Sequence, residues 1–136
     1  MPITQTFYDR MVNDATLAVM LADYRGTPAV FTTDPAPGDA VLPYIVSAGQ
    51  PVDTPFDTKI TRGRSLSRDV RCYAAADGSA ALIEQIAERV RALFHRQALV
   101  IAGFVWIWAE CSGPIVADEQ DAYGRIVSVR LTIEEV

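Results

Sequence analysis

The chain holds few side chains able to do covalent or metal chemistry. Among its 136 residues there is one histidine, His95, and two cysteines, Cys72 and Cys111. A general base needs a positioned partner within hydrogen-bonding reach. The neighbours of His95 in sequence include Arg91 and Arg96, which are basic and offer none, so His95 reads as a solvated or helix-capping residue. The cysteines show no CxxC or Cys/His spacing, so no zinc pattern exists. Cys72 has no local activating pattern for a nucleophile. Both lie in apolar, strand-like runs, where free cysteine behaves as a small buried hydrophobe. Asp118, Glu119 and Asp121 lack the spacing and length of an EF-hand loop and read as a solvated loop. No GxSxG, P-loop, GxGxxG or HExxH occurs. The expectation is a protein with no catalytic, cofactor-binding or metal-binding residues. An enzyme using Cys72 or His95 stays the remote alternative.

Charge is the stronger signal. Lys59, Arg62, Arg64, Arg68 and Arg71 place five of the chain's twelve basic residues in thirteen positions, against one acid, Asp69. This happens in a chain of net charge −5 and pI near 4.7, which excludes free nucleic acid as a partner for the whole surface. The patch suits an acidic partner or DNA phosphates, and equally suits pairing with the chain's own acids. Lys59 is the sole lysine. An arginine-heavy set marks a GC-rich genome or interfaces, where the planar fork of arginine is favoured. Arg71 and Tyr73 alternate onto the polar side of a strand and are interface-type residues.

The elements that must carry these residues read as α-β-β-β-α-β-β. Residues 3–22 predict a helix with Phe7, Met11, Ala15, Ala18 and Leu21 on one stripe, ended by Arg25-Gly26-Thr27-Pro28. Residues 29–33 and 44–49 predict short strands around a proline-rich loop, 34–43. Residues 50–64 are long for a connector, which points to function or flexibility. In 65–75, Leu66, Val70, Cys72 and Ala74 share a buried face that Arg68 interrupts, which suggests a sheet edge or subunit boundary for Arg68. Asp77 or Ser79 is available to cap the helix over 80–96. Its stripe is Leu82, Ile83, Ile86, Val90, Leu93 and Phe94. At ~1.5–3 kcal/mol each, burying these six is worth on the order of 10 kcal/mol before entropy. Residues 99–110 predict one bent strand or a strand pair, with Gly103 at a turn or bulge and Phe104, Trp106 and Trp108 on one face. That aromatic row would suit a small-ligand pocket, or a core. Residues 112–124 read as a second long loop, and 125–135 as a cleanly alternating strand. The expected fold is a single α+β domain over 1–136, a mostly antiparallel sheet of about 4–5 strands with two helices on one face. "MPITQTFYDRM" shows no signal-peptide pattern and "ALVIAGFVWIWA" is too short to span a bilayer. The expectation is therefore a cytoplasmically made protein with no membrane partner.

The N-terminal helix, "LPYIVSAG" (42–49), the strand–turn–helix at 65–96 and "DAYGRIVSVRLTIEE" (121–135), in this order, resemble the tail terminator, or tail-completion, family. These are minor tail proteins of long-tailed phages and of domesticated phage-like particles. The resemblance runs from about residue 5 to 134. It implies a ring of six copies at the head-proximal end of the virion tail, assembled in the bacterial cytoplasm. Such a ring stops polymerisation of the tail tube protein and docks to the head connector or stopper protein, with DNA passing through the lumen without sequence-specific contact. Within such a ring, Lys59, Arg62, Arg64, Arg68, Arg71 and Tyr73 become candidate contacts with subunit, tube or DNA. A head-completion or stopper protein of the same particle, and a small-ligand-binding α+β module, are the alternatives.

Overall fold

The structure is a computed structural model that describes residues 2–48, 52–119 and 121–136. Three helices pack on one face of a six-stranded sheet. The α+β expectation holds, with one more helix, a main sheet one or two strands larger and a separate two-stranded hairpin.

The first predicted helix is two, α1 (Pro2–Val12) and α2 (Ala15–Met20). Asp14 adopts an extended backbone between them and caps α2, accepting a hydrogen bond from the Leu17 N–H at 3.0 Å. The break resets the helical phase. Ile3, Phe7, Met11, Leu17 and Leu21 are buried, while Ala15 and Ala18, which a continuous helix would bury, are exposed. A two-residue hairpin follows, β1 (Asp23–Tyr24) and β2 (Thr27–Pro28), turned by Arg25 and Gly26, both at positive φ.

The main sheet runs β3 (Val30–Phe31), β4 (Tyr44–Val46), β6 (Gly63–Ala75), β8 (Ala122–Glu135), β7 (Phe104–Val116), and β5 (Val52–Pro55) pairs with the first part of β6. Only the β3–β4 pair is parallel. β6 and β8 share an unbroken thirteen-residue register, from Gly63↔Glu134 to Ala75↔Ala122. Their period-2 alternation fixes that register, because a one-residue slip would turn every apolar side chain outward.

α3 (Ala81–Phe94) covers this ladder. Ile83, Ile86, Val90 and Phe94 are fully buried, with Ala87 between them. Leu82, assigned to the stripe from sequence, is exposed instead. The helix begins at Ala80 without a side-chain cap. Asp77 and Ser79 bond inside the turn, to the N–H groups of Ser79 and Ala81. The Phe7 and Phe94 rings stack with centroids 4.5 Å apart, and Arg89 clamps Asp14 through two hydrogen bonds of 2.9 and 2.6 Å. No helix among the described residues is long and apolar enough to cross a membrane.

Two segments read as loops are built otherwise. Residues 52–64 form a hairpin, β5 turning back into β6, closed by Phe56 N–H on the Gly63 carbonyl and Thr58 N–H on the Thr61 carbonyl. β7 continues through Gly113 and Pro114 to Val116, so 112–116 is strand. Residues 98–103 are not strand; Gly103 turns the chain at φ +85°.

Candidate interaction surface

The six residues singled out from sequence do not form one patch. Lys59 and Arg62 lie exposed in the turn of the β5–β6 hairpin. Arg64 stands beside them but is spoken for. It grips the Asp53 carboxylate across the hairpin through Nε at 3.1 Å and through Nη2, and this contact holds the guanidinium above its ordinary pKa. Asp57 accepts from the Gly63 N–H and shapes the same turn. The hairpin therefore pairs part of its own basic charge, leaving Lys59 and Arg62 beside an apolar tip. Ile60 at that tip is 93% exposed, and Phe56 and Val52 are exposed along the arm.

Arg68 is drawn inward. It is 2% exposed and points into the core under the helices, with its guanidinium 5.4 Å from the Phe7 ring centroid. Nε donates to Ser47 Oγ at 3.1 Å and Nη2 to the Ser47 carbonyl at 2.8 Å. Desolvation pushes its pKa down. β6 is an internal strand, but Arg68 falls between the stretch paired with β5 and the stretch paired with β4. Arg68 therefore stands inside the subunit, between two partner strands of an internal strand, and not at the sheet edge or subunit boundary expected from sequence.

Arg71 and Tyr73 lie on the sheet face opposite the helices. Arg71 is exposed, and a hydrogen bond to the Tyr73 hydroxyl raises its pKa. Tyr73 is only 8% exposed. The proline-rich segment folds over it, so that Tyr73, Val46 and Ala122 form a second apolar cluster with Leu42, Tyr44 and Ala36 around it. Gly124, paired with Tyr73 across the ladder, sits so close to the chain leaving β7 that a Cβ would run into the Ala117 carbonyl oxygen.

Among the side chains weighed for chemistry, His95 and Asp118 have structural partners. His95 Nδ1 accepts the Cys111 N–H at 3.0 Å, so the ring ties the end of α3 to β7. Both thiols are buried, and desolvation raises Cys72 to about 12 and Cys111 to about 11. Asp118 accepts from the Gly124 N–H and from Arg125. Among the described residues no three His, Cys, Asp or Glu side chains are grouped to hold a metal.

The aromatic row does not survive. A register shift between Trp106 and Trp108 in the β7–β8 ladder puts Trp106 opposite Ile133, on the helix face, and Trp108 opposite Thr132, on the other. The depression of about 400 Å³ on the outer face is lined by Ser67, Glu110, Ser112, Ser128 and Arg130 rather than by aromatic rings. The shift exposes what sequence reading missed. β7 is a margin of the sheet with Val105, Ile107, Ile115 and Val116 open to solvent. Simple alternation hid this, because it assumed one uninterrupted strand.

No known family pattern matches the chain, and no curated protein matches it. Among solved structures, a chain in the virion of a native gene transfer agent particle is similar, with a TM-score of 0.80 and 17% identity, over 98% of this chain and 95% of that one. At that identity the likeness is one of fold, and it extends over essentially the full length of both chains.

Proposed function

We propose that this chain is a structural virion protein of a phage-like particle. It forms a ring of six copies that caps the tail tube, ends its polymerisation and presents a docking surface to the head connector. The observation that carries this reading is the full-length shared fold with a chain of a gene transfer agent virion. Its support is the resemblance of 42–49, 65–96 and 121–135 to tail terminators. The exposed margins and arm add to it, since heterologous ring contacts need two different surfaces on one subunit.

In this ring Lys59 and Arg62 on the hairpin tip and Arg71 on the open sheet face are the basic contacts with tube, connector or passing DNA. Arg64, Arg68 and Tyr73 hold the shapes that present them. Negative-stain imaging of the protein mixed with tail tubes of its own particle tests the proposal. Caps at one tube end are expected. Binding to isolated connectors with bare tube ends would place the chain as a stopper, and binding to neither would reject a role at this joint.

A further inference from the structure

The main sheet ends on two unlike margins. β7 has β8 on one side and no strand on the other among the described residues. β5 is the outermost strand beside the first part of β6. An unpaired edge presents a row of backbone donors and acceptors that templates another strand. β7 carries irregularities at Trp106/Trp108 and Ser112/Ile115, yet Trp108–Ser112 stays in continuous register with β8.

We propose that these margins meet between copies of this chain: the part of β7 from Val105 to Glu110 pairs with β5 of the next copy, and the sheet runs on from subunit to subunit. This rests on the reading that the chain assembles with itself. It adds which strands join.

Strand direction makes a second copy the fitting occupant. The successive pairs β5–β6, β6–β8 and β8–β7 are all antiparallel. β5 and β7 therefore run in opposite directions. Setting one copy beside the next, unturned, places β5 antiparallel to β7 and keeps all helices on one face. A twofold contact of β7 with β7 would leave β5 bare, whereas β7 with β5 uses both margins and gives the heterologous contact that closes into rings.

Side chains agree. Val52 and Phe56 on one margin and Val105, Ile107 and Trp108 on the other are exposed. At the level of the β5 strand charge is complementary too, with Lys59 and Arg62 farther out in the turn. The β5 arm carries Asp53 and Asp57, while Arg96 lies over the Trp108 ring at 5.4 Å on the β7 margin. Neither Asp57 nor Arg96 has an ion-pair partner among the described residues. Through the ladders Asp53 is level with Leu66, Leu131 and Ala109, and the Arg96 N–H donates to the Ala109 carbonyl. A level repeat brings Asp53, which Arg64 of its own copy also holds, towards the arginine of the next.

The test uses single-cysteine additions at exposed or half-exposed sites that the ladders place level, Val52→Cys and Glu110→Cys. The native thiols are buried. Mixed and treated with a short bis-thiol reagent, the two variants are expected to give a product of twice the 14.9 kDa chain mass, and neither alone should. The double variant should give a ladder. Val52→Asp and Val105→Asp should each cut oligomer by tenfold or more in native mass spectrometry with melting unchanged. Cross-links within one variant alone, or cross-links only to a tube subunit, overturn the proposal. Undiminished oligomer in both aspartate variants does so as well. If the parent chain caps tubes and no 52–110 product forms, the ring stands and edge pairing fails. If no self-association occurs with or without tubes, both fail.

Discussion

At the scale of single residues, the informative side chains are those that bury charge. Asp14 caps α2 and receives both arms of Arg89. The Arg89 hydrogen bonds hold its carboxyl below the usual aspartate value. A carboxylate depressed in the folded state adds stability above its unfolded pKa, near 4, and loses it as pH falls through the folded value. Asp14→Ala is expected to cost about 1 kcal/mol at pH 7, from the lost cap. Asp14→Asn keeps the cap and should flatten the acid limb of stability between pH 5 and 2 relative to the parent. Urea titrations across that range check both. Arg68 poses the opposite case, a guanidinium in the core with neutral partners. Buried ions are often replaced by apolar side chains of similar volume at little cost. Arg68→Met should therefore stay within about 1–2 kcal/mol of the parent. Arg68→Ala, which adds a cavity to the stripped Ser47 carbonyl, should cost about 3 kcal/mol or more.

At the scale of elements, the core should be intolerant where alternation and helical period meet. Ile86 is fully buried in α3, so Ile86→Asp puts an unpaired carboxylate into the core. The expected outcome is insoluble or unfolded protein, read by circular dichroism. Gly124→Ala should also destabilise, by about 2 kcal/mol, because backbone of 117 must shift to admit the methyl group. In hydrogen exchange, amides 57–62 at the hairpin tip should exchange much faster than those of the β6–β8 ladder. These elements were legible to very different degrees. β6, β8 and α3 carry long periods, so their faces could be read directly, Leu82, Arg68 and the sheltered Tyr73 apart. α1 and α2 could not be separated, because Asn13-Asp14 breaks the helix without glycine or proline. β5 escaped notice because Val52-Asp53-Thr54-Pro55 carries no apolar alternation; it is held by backbone pairing to β6. The β7 faces were misread beyond Trp106, since a register shift leaves no mark in composition. Among the candidate contacts, the spacing of Lys59, Arg62 and Arg64 marked a basic stretch in an expected loop and gave no sign of the hairpin that carries it. It could not show that Asp53, eleven positions before Arg64, would lie across from it.

At the scale of the whole molecule, the sheet separates two environments. One face lies under helices; the other is largely polar, with Tyr73 sheltered by the proline-rich segment. The exposed hairpin bases contribute little to folding in this arrangement. Lys59→Gln with Arg62→Gln should leave stability within about 0.5 kcal/mol, as ordinary surface changes do. In the proposed ring the pair repeats six times, and its field reaches only ~8 Å in physiological salt. The double variant is therefore expected to fold and melt as the parent does while producing fewer DNA-delivering particles, with the deficit depending on salt. Unaltered particle titre from 50 to 300 mM salt would leave these two residues as ordinary solvated surface.

The displaced tryptophans make the molecule its own optical probe. Trp106 has its indole nitrogen buried with no hydrogen-bond partner among the described residues, while Trp108 is 42% exposed with Arg96 over its ring. One fluorophore should emit towards the blue and resist acrylamide, and the other should emit towards the red and be quenched. Quenching of the native protein should therefore give a downward-curving Stern–Volmer plot with about half the signal accessible. When β7 is covered by a neighbour, the accessible fraction should fall and the spectrum shift to shorter wavelength, with no dye attached.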